Sequence, residues 1–169
     1  MEQKAFYKDQ YDRSLDRKNE INSSLATPIG ILSALIAGFL YSASNFEYEK
    51  LSVLNGVFIV IGIQALGCLI FSIYHLSKAL SDASKGYEYA YLPDAADLNT
   101  YYTGLLTFFQ AQAGIPAQQA EAKAQHDFDT YLTGLLIECA DNNQKRNKTK
   151  TAYRFLCHRY MIFAFIFLA

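Results

Sequence analysis

Two long stretches without Asp, Glu, Lys, Arg or His constrain the fold of this chain more than any other feature. They run from Pro28 to Phe46 and from Leu51 to Tyr74. At 1.5 Å of rise per residue, a helix of either length crosses the roughly 30 Å hydrocarbon core of a bilayer. A cleaved leader does not explain the first stretch, because a polar segment with several acids precedes it. We therefore predict two transmembrane helices, which the short connection makes an antiparallel hairpin.

The Lys and Arg residues that flank these stretches predict their orientation. The connection between the two stretches offers only Lys50, whereas bases are frequent before the first stretch and after the second. Loops rich in Lys and Arg stay on the cytoplasmic side of a membrane. Both ends of the hairpin, and with them the N-terminus, are therefore predicted to face the cytoplasm. The flanking bases are Lys4, Lys8, Arg13, Arg17, Lys18, Lys78 and Lys85.

Small residues recur every four positions along the first predicted span. In lipid, helices associate through close backbone approach, and a stripe of small residues permits it. The partner of this stripe is either the second span, through its own small residues, or another copy of the chain. The predicted packing residues are Gly30, Ala34, Gly38 and Ser42 in the first span, with Gly56 and Ala65 in the second.

Two amides, Asn55 and Gln64, are the notable polar side chains of the second span. They could line a pore, but hydrogen bonding between helices is the more frequent use of such amides. Neither span contains Asp, Glu, Lys or Arg, so the usual signature of an ion-coupled transporter is missing. A pore would have to form by assembly of several copies.

Composition divides the chain into four segments. A polar lead helix covers 1–26, the transmembrane hairpin 27–77, an acidic cytosolic helical region 78–144, and a basic neck with a partial third span 145–169. Thr27 and Pro28 fit the cap and first position of the first span. The excess of acids over 78–144 argues against binding to a nucleic-acid duplex, which requires neutralisation of phosphates.

The phrase Thr-Tyr-x-Thr-Gly-Leu-Leu occurs twice in the acidic region, beginning at Thr100 and at Thr130. Apolar residues recur around both copies at helical spacing, and Gly114 and Pro116 separate them. We predict two antiparallel helices that cross at the two glycines, since a glycine within a helix costs about 1 kcal/mol unless it allows close approach. The predicted packing residues are Tyr101, Gly104, Leu105, Tyr131, Gly134 and Leu135.

The basic neck has two interpretations that both use its positive charge. Cations just inside a membrane each gain roughly 1 kcal/mol near anionic lipid, and the same cluster could bind an anionic ligand. The predicted contacts are Lys145, Arg146, Lys148, Lys150 and Arg154. The apolar end after Arg159 covers about half a bilayer. Either the chain ends within a third transmembrane helix or this end is a half-inserted anchor, and truncation is favoured.

No motif of catalysis or metal binding is present. Glycine-rich phosphate loops, His-Glu-x-x-His and Gly-x-Ser-x-Gly do not occur. His126 and Asp129 share a helix face, but a metal would need further ligands, and a solvated face explains the pair better. Cys68, Cys139 and Cys157 have no paired spacing. We predict that the protein is not an enzyme and holds no cofactor or metal.

The order of these segments resembles, in layout, the small membrane effectors of bacterial anti-phage systems, of which the SLATT-type two-helix effectors are the nearest. The resemblance covers most of the chain and transfers no site residue. It implies an oligomer in the bacterial inner membrane, whose cytosolic part senses a nucleotide or protein partner and whose spans permeabilise the bilayer. Two other functions remain open, which are a non-conducting scaffold that anchors a partner protein and a fragment of a small transporter.

Overall fold

A computed structural model describes residues 2–46, 53–81 and 88–168 of the chain. All regular secondary structure within these ranges is α-helical, so the all-α prediction is confirmed. Five helices follow one another along the chain: α1 (Glu2–Ser24), α2 (Ala26–Ser44), α3 (Val53–Leu80), α4 (Ala95–Gln110) and α5 (Ala117–Leu168).

The chain forms two compact units, and each is built from separate parts of the sequence. The first unit contains Met1–Asp16 and Glu88–Lys145, and the second contains Arg17–Tyr87 and Arg146–Ala169. The helices α1 and α5 therefore contribute residues to both units. The boundary at 144/145 that composition suggested lies inside α5, which runs without interruption through the polar neck. No Gly or Pro occurs after Gly134, so nothing in the local sequence ends this helix.

The first unit packs α4 and the first part of α5 as an antiparallel pair. Ring centroids of Tyr101 and Tyr131 are 4.2 Å apart, and those of Tyr102 and Phe128 are 5.5 Å apart. Partner numbers fall on one helix as they rise on the other, which is the signature of antiparallel packing. The turn between the helices uses Gly114 with φ +87°, a conformation that glycine adopts without strain.

The core of the first unit lies between α1, α5 and the extended segment 88–94. Tyr11, Leu136 and Cys139 are buried there, and Leu15, Leu92 and Leu132 are half-buried around them. This arrangement removes the apolar face of α5 from water, which is the main stabilising contribution in a small helical unit.

The side chain of Asn143 binds the backbone of segment 88–94 in the first unit. Its side chain, which is fully buried, accepts a hydrogen bond of 2.8 Å from the Ala90 N–H and donates one of 3.0 Å to the Ala90 carbonyl. The hydroxyl of Tyr11 accepts a bond of 3.4 Å from the Leu92 N–H. These contacts satisfy backbone groups that have no strand or helix partner, so the segment stays ordered without secondary structure.

The second unit combines α2, α3 and the last part of α5. Its core contains Leu25, just before α2, and Leu32 from α2. Leu69 and Leu76 from α3 and Cys157, Met161 and Ala164 from α5 complete it. The rings of His75 and Tyr153 lie 5.9 Å apart and those of Phe71 and Tyr160 lie 5.3 Å apart. This order shows that the end of α5 is antiparallel to α3.

The junction between α1 and α2 differs from the predicted cap at Thr27. The second helix begins at Ala26, and Leu25 takes the capping position in a helical conformation with no side-chain hydrogen bond. Leu25 is buried in the core, so apolar packing and not a side-chain hydrogen bond holds this junction. Pro28 is tolerated since it stands in the first turn of the helix.

Candidate membrane-embedded site

The exterior of the second unit is apolar. In the most hydrophobic windows of the two candidate spanning helices, only 17% of the residues are buried within the chain. A core helix of a water-soluble protein would have most of such a window buried. By length and composition, both helices are long and apolar enough to cross a membrane. The large exposed side chains include Ile29, Leu40, Val57, Ile59, Val60, Ile63, Leu66, Ile70 and Ile73.

Small side chains form part of the interior of the second unit, beside the leucines of its core. Ala65, Ser72 and Ala79 follow one another at seven-residue spacing on α3, and Cys157 and Ala164 have the same spacing on α5. All five are fully buried. Small side chains at such positions allow helix backbones to approach closely, which is how helices associate in lipid. Ala65, one of the predicted packing residues, thus lies in the interior.

The predicted stripe on α2 lies on the outside of the unit instead. Gly30, Ala34 and Gly38 are exposed, and a methyl group built at either glycine would meet no other atom within 4 Å. The core face of α2 consists of larger side chains, namely Leu32, Leu35, Ile36 and Phe39. Packing of the glycines against the second span is therefore wrong for the described residues. Gly56 is exposed and open in the same way.

A shallow groove of about 180 Å³ follows part of this stripe. Ala34, Gly38 and Ser42 line one side of it, and Phe165 and Leu168 from α5 line the other. The small residues of α2 thus border the end of α5 without closing onto it. Gly30 and Gly38 thus have no close neighbour among the described residues, and packing against another copy of the chain stays a prediction.

The two amides of the second predicted span have different surroundings. Asn55 is half-buried near the start of α3, whereas Gln64 is exposed in the central part of that helix. Gln64 makes no hydrogen bond to any described residue. It does not connect helices within this chain, although hydrogen bonding between helices was the use that the sequence favoured.

The basic residues of the predicted neck do not form a single exposed cluster. Lys150 is only 1% exposed, and its ammonium donates a hydrogen bond of 3.1 Å to the Asn22 side chain. Arg154 donates to the Ser24 hydroxyl. Both cations therefore hold the end of α1 against α5 within the second unit, and Lys150 is not available to lipid as predicted. Lys148 is exposed.

The remaining two cations of the neck also differ from each other. Lys145 is exposed and forms an ion pair of 2.6 Å with Asp141, one helical turn earlier. Arg146 is half-buried, and its Nε atom has no hydrogen-bond partner among the described residues. An exposed pair of this kind contributes little to stability, because water and salt screen it.

An aromatic cluster around His75 was not anticipated from the sequence. The imidazole stacks on Tyr160 at 5.4 Å between ring centroids and lies 5.9 Å from Tyr153. Its Nδ1 atom is buried without a partner among the described residues. The seven-residue spacing of Tyr153 and Tyr160 was the available signal, since it puts both rings on one face of a helix.

The first unit contains an open polar groove of about 1080 Å³ between α1 and α5. Lys4 donates to Asp129 across one end of it, and this hydrogen bond lowers the pKa of the Asp129 carboxyl. Lys8, His126 and Gly134 line the same groove. Asp129 thus pairs with Lys4. The described residues contain no group of three His, Cys, Asp or Glu side chains that could hold a metal ion.

The two glycines of the helix pair in the first unit do not lie at a close contact between helices. Gly104 and Gly134 are both exposed, and an added methyl group at either would meet nothing within 4 Å. The crossing predicted at these glycines is therefore wrong. The tyrosines at 101 and 131 do meet, and Leu105 and Leu135 are half-buried. Bulky rings keep the helices apart, so no close backbone approach is needed.

Cys139 is the buried thiol of the first unit. Burial, and then the nearby Glu138 carboxylate, raise the pKa of this thiol above its ordinary value. A raised pKa keeps the thiol protonated at neutral pH and makes it a poor nucleophile. The residue therefore serves as a small apolar side chain in the core.

Comparison with protein-family models, with curated proteins and with solved structures finds no match to this chain.

Proposed function

We propose that this protein is an integral membrane protein whose copies assemble into a pore or other membrane effector, under the control of the first unit. The observation that carries the proposal is the apolar exterior of the second unit, where Ile63 is 65% and Ile70 is 57% exposed. Such a surface in water would be an association hazard, whereas in lipid it is the normal exterior. In this proposal the protein resides in the bacterial inner membrane with its N-terminus in the cytoplasm.

The antiparallel course of α5 along α3 supports a third membrane-embedded segment. If α3 leaves the bilayer near Lys78 on the cytoplasmic side, the end of α5 enters from that same side. Its terminal side chains Ile162, Phe165 and Ile166 are 59%, 62% and 61% exposed, as lipid-facing residues would be. Lys148 and Arg154 then stand at the cytoplasmic interface, where anionic lipid favours cations.

The first unit has the features of the controlling part. Its groove between α1 and α5 is lined by Lys4, Lys8 and His126 and is large enough for a small molecule or a peptide segment. Since α1 and α5 contribute to both units, a partner that binds this groove acts on helices that continue into the second unit. A nucleotide and a cytosolic protein are the two partner classes that we propose.

Release of a dye from vesicles tests the pore. The protein is reconstituted at increasing protein-to-lipid ratios, with protein-free vesicles as the control. We expect release to rise more steeply than linearly with protein, since several copies form each pore. The same measurement in cells that produce the complete protein tests whether the inner membrane becomes permeable. Absence of release at every ratio, with the protein shown to be inserted, would contradict the pore and favour the scaffold.

A further inference from the structure

Gln64 lies on a face of α3 that points away from the other helices of the second unit. The buried face of α3 contains Leu69, Ser72 and Leu76, whereas Gln64 is exposed together with Val57 and Val60, which are 50% and 55% exposed. These two valines stand seven and four residues before Gln64, on the same side of the helix. The amide therefore projects from an apolar surface.

The depth of Gln64 makes this exposure costly in a membrane. Along the helix axis Gln64 lies about 16 Å from Val53, the first residue of α3. In a membrane this distance puts Gln64 close to the middle of a hydrocarbon core of about 30 Å. An amide that cannot form hydrogen bonds in hydrocarbon carries a substantial free-energy penalty. At this depth water does not satisfy it.

Other polar side chains of the second unit avoid this penalty within their own helix. The hydroxyl of Ser33 donates to the Ile29 carbonyl at 2.9 Å, and that of Ser72 donates to the Cys68 carbonyl at 2.9 Å. Gln64 makes no such bond to a described residue. Its amide has both a donor and an acceptor, so an outside partner must offer both.

We propose that Gln64 is a contact between copies of this chain, in which the amide of one copy pairs with the Gln64 amide of the next. The inference rests on the membrane insertion of the proposed function. Copies inserted in the same orientation have Gln64 at the same depth, so a second copy supplies a matching amide where lipid supplies none. Two amides can pair reciprocally, and several can form a closed ring in which each donates to its neighbour.

Gly67, one helical turn after Gln64, permits the approach that this contact requires. It is half-buried, and a methyl group built there would meet no neighbouring atom within 4 Å. A second helix can therefore come close to the backbone beside the amide, as small residues allow in lipid. The outward glycines of α2 offer a similar approach on another side of the unit.

The test measures association of differently labelled copies by energy transfer in vesicles while the protein is diluted with lipid. Gln64→Leu replaces the amide by an apolar side chain of similar size. We expect the association constant to fall roughly 5- to 30-fold, which corresponds to the 1–2 kcal/mol measured for such hydrogen bonds between model helices. Gln64→Asn keeps an amide and is expected to retain part of the association.

Ile70→Leu is the matched control, because Ile70 is similarly exposed on another side of α3. Its association is expected to equal that of the wild type. Gln64→Met serves as a second variant without the amide, and circular dichroism verifies the helices of each. Association within two-fold of the wild type for both the Leu and Met variants would overturn the proposal. Dye release is scored separately, so loss of the pore and loss of this contact are distinguishable.

Discussion

The two units of this chain differ in the side chains that cover their exteriors. In the first unit large residues such as Tyr11 and Leu136 are buried, while Glu121, Lys123 and Asp127 cover the outside of α5. In the second unit leucines and Met161 share the interior with small residues such as Ala65 and Ser72, while isoleucines and phenylalanines cover the outside. Both arrangements are helical and both occur along α5.

The difference teaches which surroundings each unit is suited to. In water a helical unit gains stability by removing large apolar side chains from solvent, so these belong inside. In lipid that gain disappears because the tails are as apolar as the side chains, and close backbone packing through small residues replaces it. The charged exterior of the first unit suits water. The apolar exterior of the second unit suits lipid, where its small buried residues also allow close packing of the helices.

The largest expected effect is that of a charge on the outside of the second unit. If this surface tolerated a charge, the difference between the two units would not hold. Ile63→Asp places a carboxylate on the outward face of α3, and near the centre of a span this costs roughly 3 kcal/mol on the insertion scale. We expect a large loss of the protein from the carbonate-resistant membrane fraction. Ile137→Asp is the control, because Ile137 is 42% exposed in the first unit. If the two variants remained in the membrane fraction to the same extent, the proposed difference between the surroundings of the two units would be contradicted.

The buried amide in the first unit gives a smaller effect. Asn143→Leu leaves the N–H and carbonyl of Ala90 without their partner, and we expect the unit to lose about 2 kcal/mol of unfolding free energy. Limited proteolysis should then cut near residues 88–92. Asn142→Leu is the control, since its 3.2 Å bond to the Glu88 carbonyl is exposed. If both variants resist protease like the wild type, the clamp does not order this segment.

The smallest expected effect has the opposite sign. Gly134→Ala adds a methyl group that meets nothing within 4 Å, and the gain in helix propensity should stabilise the first unit by about 1 kcal/mol. Thermal unfolding measures the change. Gly114→Ala is the contrasting variant, because its φ of +87° strains an alanine, and it should destabilise. A lower melting temperature for Gly134→Ala would contradict this expectation. It would indicate that another helix packs closely against Gly134.

The periodicity of apolar residues was enough to predict the helices and the contact of the Tyr101 and Tyr131 rings. It was not enough for the glycines, because a glycine in a helix has the same appearance whether a neighbour covers it or open space does. The basic neck shows the same limit. Lys150 and Lys148 are two residues apart in one charged run, yet only the fold makes one buried and the other exposed.

The sequence by itself determined that the chain is helical and that two of its helices are long and apolar enough to span a membrane, because length, charge and spacing act locally along the chain. Only the tertiary structure decided which faces of those helices meet. It buried Ala65 and left Gly30 and Gly38 outside, and it brought Asn143 to Ala90 from far along the chain. Such choices depend on the shapes of several segments at once, and no single stretch of sequence contains them.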